Sequence, residues 1–364
     1  MPVNRRRWIK GYRGTMETEE LILTEIDKLL RTDKLSGFRG DIGRTEGGDY
    51  VLRLEDAFKK YFRVKHAVAF NSATAALHSA CVAIERRKIG VTPFSFTASV
   101  SCVRMAGGKP IFIDLDPQTY CINPNHYRTM DCDAILPVHI FGGCADMDGI
   151  MDLQIPVIED AAQAIGSKYK GKYAGTIGDC GIFSFNQSKL ISCGEGGMLI
   201  TNDDDIAYKS KLVRNHGEVV DQDAGIIGYN YRMTEIEAVI AYNRFLNLDN
   251  IIEKRRQNVE YFYDIISRIP GIKPQWINPD VEYSWYVYSF EVEDNHKVVE
   301  SMREKGIWLR AGYVVEPLNM AYKQDCPICE GIWKNKIIVT DIIGKERDDI
   351  DQFTDSLKEV MKGV

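Results

Sequence analysis

The chain has 364 residues, of which 45% are hydrophobic, 27% charged and 10% aromatic, a composition that excludes a disordered, collagen-like or disulfide-stapled chain. Forty-six Lys and Arg against 52 Asp and Glu leave a net charge of −6, which argues against wholesale binding to nucleic acid or an anionic membrane. The length exceeds what one small core can fill, so two domains or one unusually large one are expected.

Arg5, Arg6, Arg7, Lys10 and Arg13 make a basic start, but Gly11, Thr15 and Glu17 follow instead of an apolar stretch, and no run of about 18 apolar residues occurs anywhere. Neither secretion nor membrane spanning is expected, and the expected address is the cytoplasm. Residues 17–31 carry Leu21, Ile22, Ile26, Leu29 and Leu30 in a helical stripe. Next, GFRGDIGRTEGG at 37–48 holds five glycines, the composition of either a linker or a close approach to a ligand.

From residue 51 short apolar runs alternate with helical segments. The pattern predicts a helix over 51–62, a strand at 67–70, a helix over 74–84, and strands at 110–115, 134–138 and 156–160. That is the rhythm of a mostly parallel sheet wrapped by helices. Strands follow at 181–185 and 198–201, then a long helical region over 232–266. Pro270, Gly271, Pro274 and Pro279 interrupt the pattern. A strand (286–292), a helix (296–306), a strand (336–342) and a closing helix (348–363) predict a small α+β unit. The expected division is a large domain over 1–250 and a small one over 251–364.

The chemistry concentrates between Pro156 and Gly197. The strand PVIED ends in Glu159 and Asp160, and in open α/β sheets ligands gather at the carboxyl ends of strands. Lys189 stands twenty-nine residues after Asp160, in a polar turn before Gly194, Gly196 and Gly197. A lysine held in a dry pocket there becomes a neutral, nucleophilic amine, whereas Lys168, Lys170 and Lys172 read as solvated. The GEGG run is not a dinucleotide fingerprint, because Leu199 replaces the third glycine and the strand follows the glycines instead of preceding them.

A strand also runs into Asn71, Ser72, Ala73 and Thr74 and then into an Ala-rich helix. Its first amides suit an anion, although Ser and Thr are also ordinary helix caps. Asp160, Lys189 and this cup together fit pyridoxal phosphate, which needs an amine for its aldehyde, an anion site, and a carboxylate to keep its ring nitrogen protonated. Phe94 or Phe96 is available to cover the ring. Nine cysteines scatter without regular spacing. The single CxxC, Cys326 and Cys329, lacks a second pair of ligands, so no metal is expected.

NSATAALHSA, PVHIFGGCADMDGI, the run from VIEDAAQAIGS to GEGGMLITND, and GYNYRMTEIEAVIA resemble the signature elements of the DegT/StrS family of sugar aminotransferases, over nearly the whole chain. The resemblance implies an α/β fold of the fold type I pyridoxal-phosphate class. It implies that Lys189 forms the Schiff base, Asp160 pairs with the ring nitrogen, and Gln163 lies near the 3′ oxygen. Ala73, Thr74 and Ser184 would hold the phosphate, Phe96 would stack on the ring, and Asn230 would reach the phosphate of a neighbouring subunit in a homodimer with shared sites. His216 and Tyr313 would line the substrate pocket.

The implied reaction moves an amino group from glutamate to the keto group of a nucleotide-linked 6-deoxyhexose. A dehydratase of the same fold, which carries histidine at the lysine position, a cyclitol aminotransferase and a non-catalytic cofactor-binding regulator are the alternatives. Three departures stand out: Ala73 replaces the family's usual glycine, the stretch between Ile84 and Pro93 lacks the common GDEV run, and the glycine-rich 37–48 segment is long, as in relatives acting on cyclitols or aminohydroxybenzoate precursors.

Overall fold

The computed structural model describes residues 16–32, 34–37, 46–219, 222–223 and 225–363. The basic residues before 16 and most of the glycine-rich loop, 38–45, lie outside the described residues. Lys109–Phe112, Lys88–Val91 and Ala134–Leu136 pair in parallel, in that order. Parallel bridges Ile135–Val157 and Val138–Asp160 carry this sheet into Ile158–Asp160, which pairs in parallel with Cys180–Ser184. Gly197–Thr201 is antiparallel to Cys180–Ser184, and His66–Phe70 is antiparallel to Gly197–Thr201. Of the strands so joined, Gly197–Thr201 alone runs against the others. The residues after Phe70, Val91, Leu136, Asp160 and Ser184 therefore emerge at one edge of the sheet, where the reversed strand begins with Gly197.

These strands are apolar runs because helices cover both faces, leaving no solvated side that would enforce alternation. Helix Asp49–Phe62 buries Val51, Leu54, Phe58 and Phe62, a spacing that keeps them on one face. Phe58 stacks on Phe245 at 4.2 Å and Phe62 on Phe183 at 4.7 Å, and each buried phenylalanine contributes about 1.5–3 kcal/mol. The same helix supplies Glu55, whose carboxylate accepts from the Ala69 amide at 2.8 Å and from Arg214 Nη1 at 2.8 Å. Both side chains are almost wholly buried. This pair ties strand His66–Phe70 to the end of helix Asp204–Arg214.

The sequence pattern misses Lys88–Val91, a short strand that opens with a lysine and contains Gly90. Gly90 is closely packed, since a Cβ there would lie 2.5 Å from Ile113 Cδ1 and the isoleucine side chain would have to shift. The single helical region expected over 232–266 is two helices, Glu235–Phe245 and Leu248–Ile266. The first begins in a capping box between Thr234 and Glu237. Helix Leu248–Ile266 runs through residues 250 and 251. After it, Lys273–Pro274, Tyr288–Glu291, Ile337–Thr340 and Arg310–Ala311 form an antiparallel sheet, accompanied by helices Asn295–Glu304 and Arg347–Met361. Among the described residues no helix is long and apolar enough to cross a membrane.

Candidate active site

Strand alternation sends the side chains of Glu159 and Asp160 to opposite faces of the sheet. Glu159 is fully occupied by scaffolding: Oε1 accepts from the amides of Ile177 and Gly178, each at 2.6 Å, and Oε2 from the amide of Gly175 at 2.8 Å. His139 Nε2 lies 2.9 Å from the same Oε2. Because His139 Nδ1 accepts from the Ala145 amide at 3.1 Å, the ring proton sits on Nε2 and is donated to Glu159.

Asp160 is 3% exposed, accepts from Ser99 Oγ at 2.8 Å on Oδ2 and from the Ala162 amide at 3.1 Å on Oδ1, and makes no ion pair among the described residues. Each carboxylate oxygen thus keeps a free lone pair. Burial pushes the Asp160 carboxyl above the ordinary aspartate range, opposed by the Ser99 hydroxyl, the Ala162 amide and the charge of Lys189.

Gln163 projects from the loop after Asp160. Its Oε1 accepts from the Phe141 amide at 3.0 Å, and its Nε2 donates to Tyr313 Oη at 2.8 Å. Tyr313 packs edge-on against Phe94 and Phe141 at 5.6 and 5.1 Å, and burial raises its phenol above the ordinary tyrosine range. Phe94 is fully buried in this aromatic group, whereas Phe96 is 68% exposed. Only Phe96 has a ring face free to receive a ligand.

Lys189 sits in a tight turn, its amide bonded to Asn186 O at 2.8 Å and the base of the turn closed by Gln187 N–H to Gly194 O at 2.9 Å. Gly194 takes φ +95° there, a conformation costly for any other residue. The Lys189 ammonium lies 4.2 Å from the centroid of the Tyr286 ring, and Tyr286 Oη is 3.1 Å from Ser188 Oγ. Tyr286 and Tyr313 bring the C-terminal part of the chain onto the sheet edge.

Ser72 caps helix Ala73–Ile84 by accepting from the Ala75 amide at 3.1 Å, and the amides of Ala73 and Thr74 point out of the helix with no acceptor inside it. Gly197 backs this cup closely, since a Cβ on it would lie 2.5 Å from Ala73 N. Ser184 is buried at the end of its strand, with Oγ accepting from the Asn186 amide at 3.3 Å. Asn71 bonds the segment carrying Asn230 by its amide to Tyr231 O at 2.8 Å and by its side chain to Asn230 O at 3.3 Å.

The Asn230 side chain is exposed. His216 is exposed at φ +61°, and its ring bonds to none of the other expected site residues among those described. Cys326 and Cys329 are buried, and Asp114 accepts from the amides of Ile328 and Cys329 at 2.9 and 3.0 Å, so this motif is the start of a capped helix. Among the described residues, no group of three or more His, Cys, Asp or Glu could hold a metal ion.

The residues fit pyridoxal phosphate. A buried carboxylate with spare lone pairs and no cation suits a protonated ring nitrogen, and the glycine-backed helix start suits a phosphate. Ser99, His139 and Tyr286 escaped the sequence reading. For His139 a signal existed in the PVH element, whereas Ser99 and Tyr286 lie in segments whose approach to the site is purely tertiary.

The profile of the DegT/DnrJ/EryC1/StrS aminotransferase family matches residues 39–337. A GDP-perosamine synthase of Caulobacter vibrioides is 38% identical over 234 residues, 61% of this chain and 63% of that one. A pleiotropic regulatory protein of Geobacillus stearothermophilus is 34% identical over 278 residues, 71% and 73% of the two chains. The solved structure of an aminotransferase from Psychrobacter cryohalolentis superposes with a TM-score of 0.87 over 98% of this chain and 99% of that one, at 24% identity. That likeness shows the fold, that of the fold type I enzymes. With the family match across most of its length, the chain belongs to the DegT/DnrJ/EryC1/StrS aminotransferases and is a pyridoxal-phosphate-dependent enzyme.

Proposed function

We propose that this enzyme transfers the amino group of glutamate to the keto carbon of a nucleoside-diphosphate-linked 6-deoxyhexose. The observation that carries the reading is the buried carboxylate of Asp160, without an ion-pair partner among the described residues and within the field of the Lys189 charge. The likeness to a GDP-perosamine synthase supports a nucleotide-linked sugar as acceptor.

When bound, pyridoxal phosphate supplies an aldehyde to capture amines and a ring that takes up electron density from the substrate carbon. Asp160 holds the proton on the ring nitrogen. Ser184 with the amides of Ala73 and Thr74 would hold the phosphate, Gln163 would lie beside the ring near its 3′ oxygen, and Phe96 would cover one face. Lys189 would be the amine that holds the aldehyde, and its amino group would move the proton at the substrate carbon as general base and acid. Tyr286, against the Lys189 ammonium, limits where that amine can swing. Asn230 completes the phosphate site of a second copy, so the working unit is a homodimer. His216 and Tyr313 face the substrate.

The test runs in two halves. Glutamate alone should release one 2-oxoglutarate per chain and leave pyridoxamine phosphate. A nucleotide-linked 4-keto-6-deoxyhexose should then restore the starting spectrum and gain an amine in place of its carbonyl oxygen. A sugar that loses a hydroxyl without gaining nitrogen would point to a dehydratase. Failure of glutamate, glutamine and alanine alike would leave only a cofactor-binding protein.

A further inference from the structure

Asp160 must stay ionised to hold a proton on the ring nitrogen, yet its burial works against the charge. The groups facing it are Lys189 from the turn, His139 beyond strand Ala134–Leu136, Cys102 from helix Ala98–Met105, and Tyr313 from the C-terminal part. None of them donates a hydrogen bond to the carboxylate. The single side chain among the described residues that does is Ser99, at 2.8 Å. Ser99 is 1% exposed, and its Oγ lies 3.0 Å from Ser95 Oγ, itself 2% exposed.

A serine hydroxyl has one proton to give. If Ser99 spends it on Asp160, the contact with Ser95 must run the other way, with Ser95 donating to Ser99. Two buried hydroxyls are thereby aligned head to tail toward Oδ2, and donation into Ser99 Oγ polarises its O–H bond and strengthens the contact with the carboxylate. Both serines lie in the segment 92–99, held at one end by the Thr92 hydroxyl accepting from the Phe94 amide at 3.1 Å. At the other end the Ser99 amide donates to Phe96 O at 3.2 Å. The segment that presents Phe96 to the ring face thus also fixes the direction of the Asp160 carboxylate.

We propose that Ser99, backed by Ser95, is the positioning residue that keeps Asp160 ionised and aimed at the ring nitrogen of pyridoxal phosphate. The inference rests on the reading of Asp160 as the ring partner. It assigns to the serine pair a function that neither the family match nor the likeness to relatives names.

The experiment loads the enzyme with pyridoxal phosphate labelled with nitrogen-15 in its ring and follows the ring-nitrogen chemical shift against pH, alongside the cofactor dissociation constant. In the wild type the ring nitrogen should be protonated through the neutral range. Without the Ser99 donor the carboxylate holds its charge less well, so the nitrogen should lose its proton at lower pH. Ser99→Ala should lower that midpoint by roughly one pH unit, tenfold in the protonation constant, and weaken cofactor binding.

Ser95→Ala should move the midpoint the same way by less, and it decides the matter if Ser99→Ala does not accumulate folded. A purely structural serine would lower the unfolding temperature and leave the midpoint in place. A protonated wild type with both variants within about 0.3 unit of it overturns the role of Ser99. A wild type that binds the cofactor with an unprotonated ring nitrogen overturns the assignment of Asp160, and the inference with it.

Discussion

Gln163 and Tyr313, 150 residues apart in the chain, are joined by a hydrogen bond of 2.8 Å from the side-chain amide to the phenol. The other end of the same amide accepts from the Phe141 backbone at 3.0 Å, so Gln163 is clamped between two loops. Tyr313→Phe keeps the aromatic packing against Phe94 and Phe141 but takes away the acceptor. A buried donor left unpaired costs about 1–3 kcal/mol. Chemical denaturation of the variant should show a loss in that range, with cofactor binding weakened because Gln163 is free to turn. An unchanged midpoint would mean that water replaces the phenol.

Adjacent acids should respond oppositely to amide substitution. In Glu159→Gln one oxygen becomes an NH2 group facing donors, so two buried donors lose their acceptor, at about 1–3 kcal/mol each. The apo protein should be destabilised accordingly. Asp160→Asn removes a buried charge that lacks a cation, so the apo protein should become more stable at neutral pH.

The pH dependence of that difference has a definite sign. The folded Asp160 carboxyl lies above its ordinary value, so the folded state holds the proton more tightly than the unfolded chain. The wild-type apo protein should gain on Asp160→Asn as the pH falls through the folded value, and the gap should be closed below the ordinary aspartate range. With cofactor present the order should reverse, Asp160→Asn binding it at least about tenfold more weakly, roughly 1.4 kcal/mol. Paired melting curves of apo and loaded protein across pH check both statements.

Lys189→Ala should fold, because the contact of its ammonium with Tyr286 is worth only about 0.5–1 kcal/mol. Turnover should fall by at least roughly 10²–10⁴, the range supplied by a positioned acid–base group. Hydride reduction of the loaded wild type, followed by peptide mass analysis, should fix the pyridoxyl group on Lys189, and the variant should show no labelled peptide. A label on another lysine would reassign the amine.

Asn230 supports a prediction about assembly. Its carbonyl is held by Asn71 of its own chain at 3.3 Å while its side chain is exposed. If that side chain serves a second copy, Lys189→Ala and Asn230→Asp chains, each severely impaired alone, should regain part of the activity after subunit exchange. Each mixed dimer would then carry one intact site. Exchange verified by mass without recovered activity would tell against shared sites.

Much of the sheet is legible because its strands are buried on both faces and read as unbroken apolar runs such as AVAF and GIFSF. Lys88–Val91 is not, because it opens with a lysine and holds Gly90 packed against Ile113, and both weaken the apolar pattern. Part of the candidate site is equally legible: Asp160 and Lys189 stand in one stretch of polar residues around buried strands, whereas Gln163 and Ser184 are named there only through the family resemblance. Ser99 and Tyr286 are invisible at that level. An ordinary serine near the start of a helix and an ordinary tyrosine acquire significance only when the fold sets them beside Asp160 and Lys189.

By itself the sequence determined most of the order of strands and helices, Lys88–Val91 and the break between Phe245 and Leu248 apart, and the set of chemical groups: an amine, an anion cup, an acid at a strand end and two phenylalanines. It singled out Asp160 without assigning Glu159 any role, and the residue pattern left Phe94 and Phe96 open until the resemblance favoured Phe96. Tertiary structure separated both pairs. The amides of Gly175, Ile177 and Gly178, together with His139, consume every acceptor of Glu159, while the opposite face leaves Asp160 with lone pairs to spare. Phe94 is enclosed by Tyr120, Phe141 and Tyr313, and Phe96 is left open. Whether a side chain is structural or free to act depends on how much of its bonding and surface distant segments consume, and a local pattern carries no record of those segments.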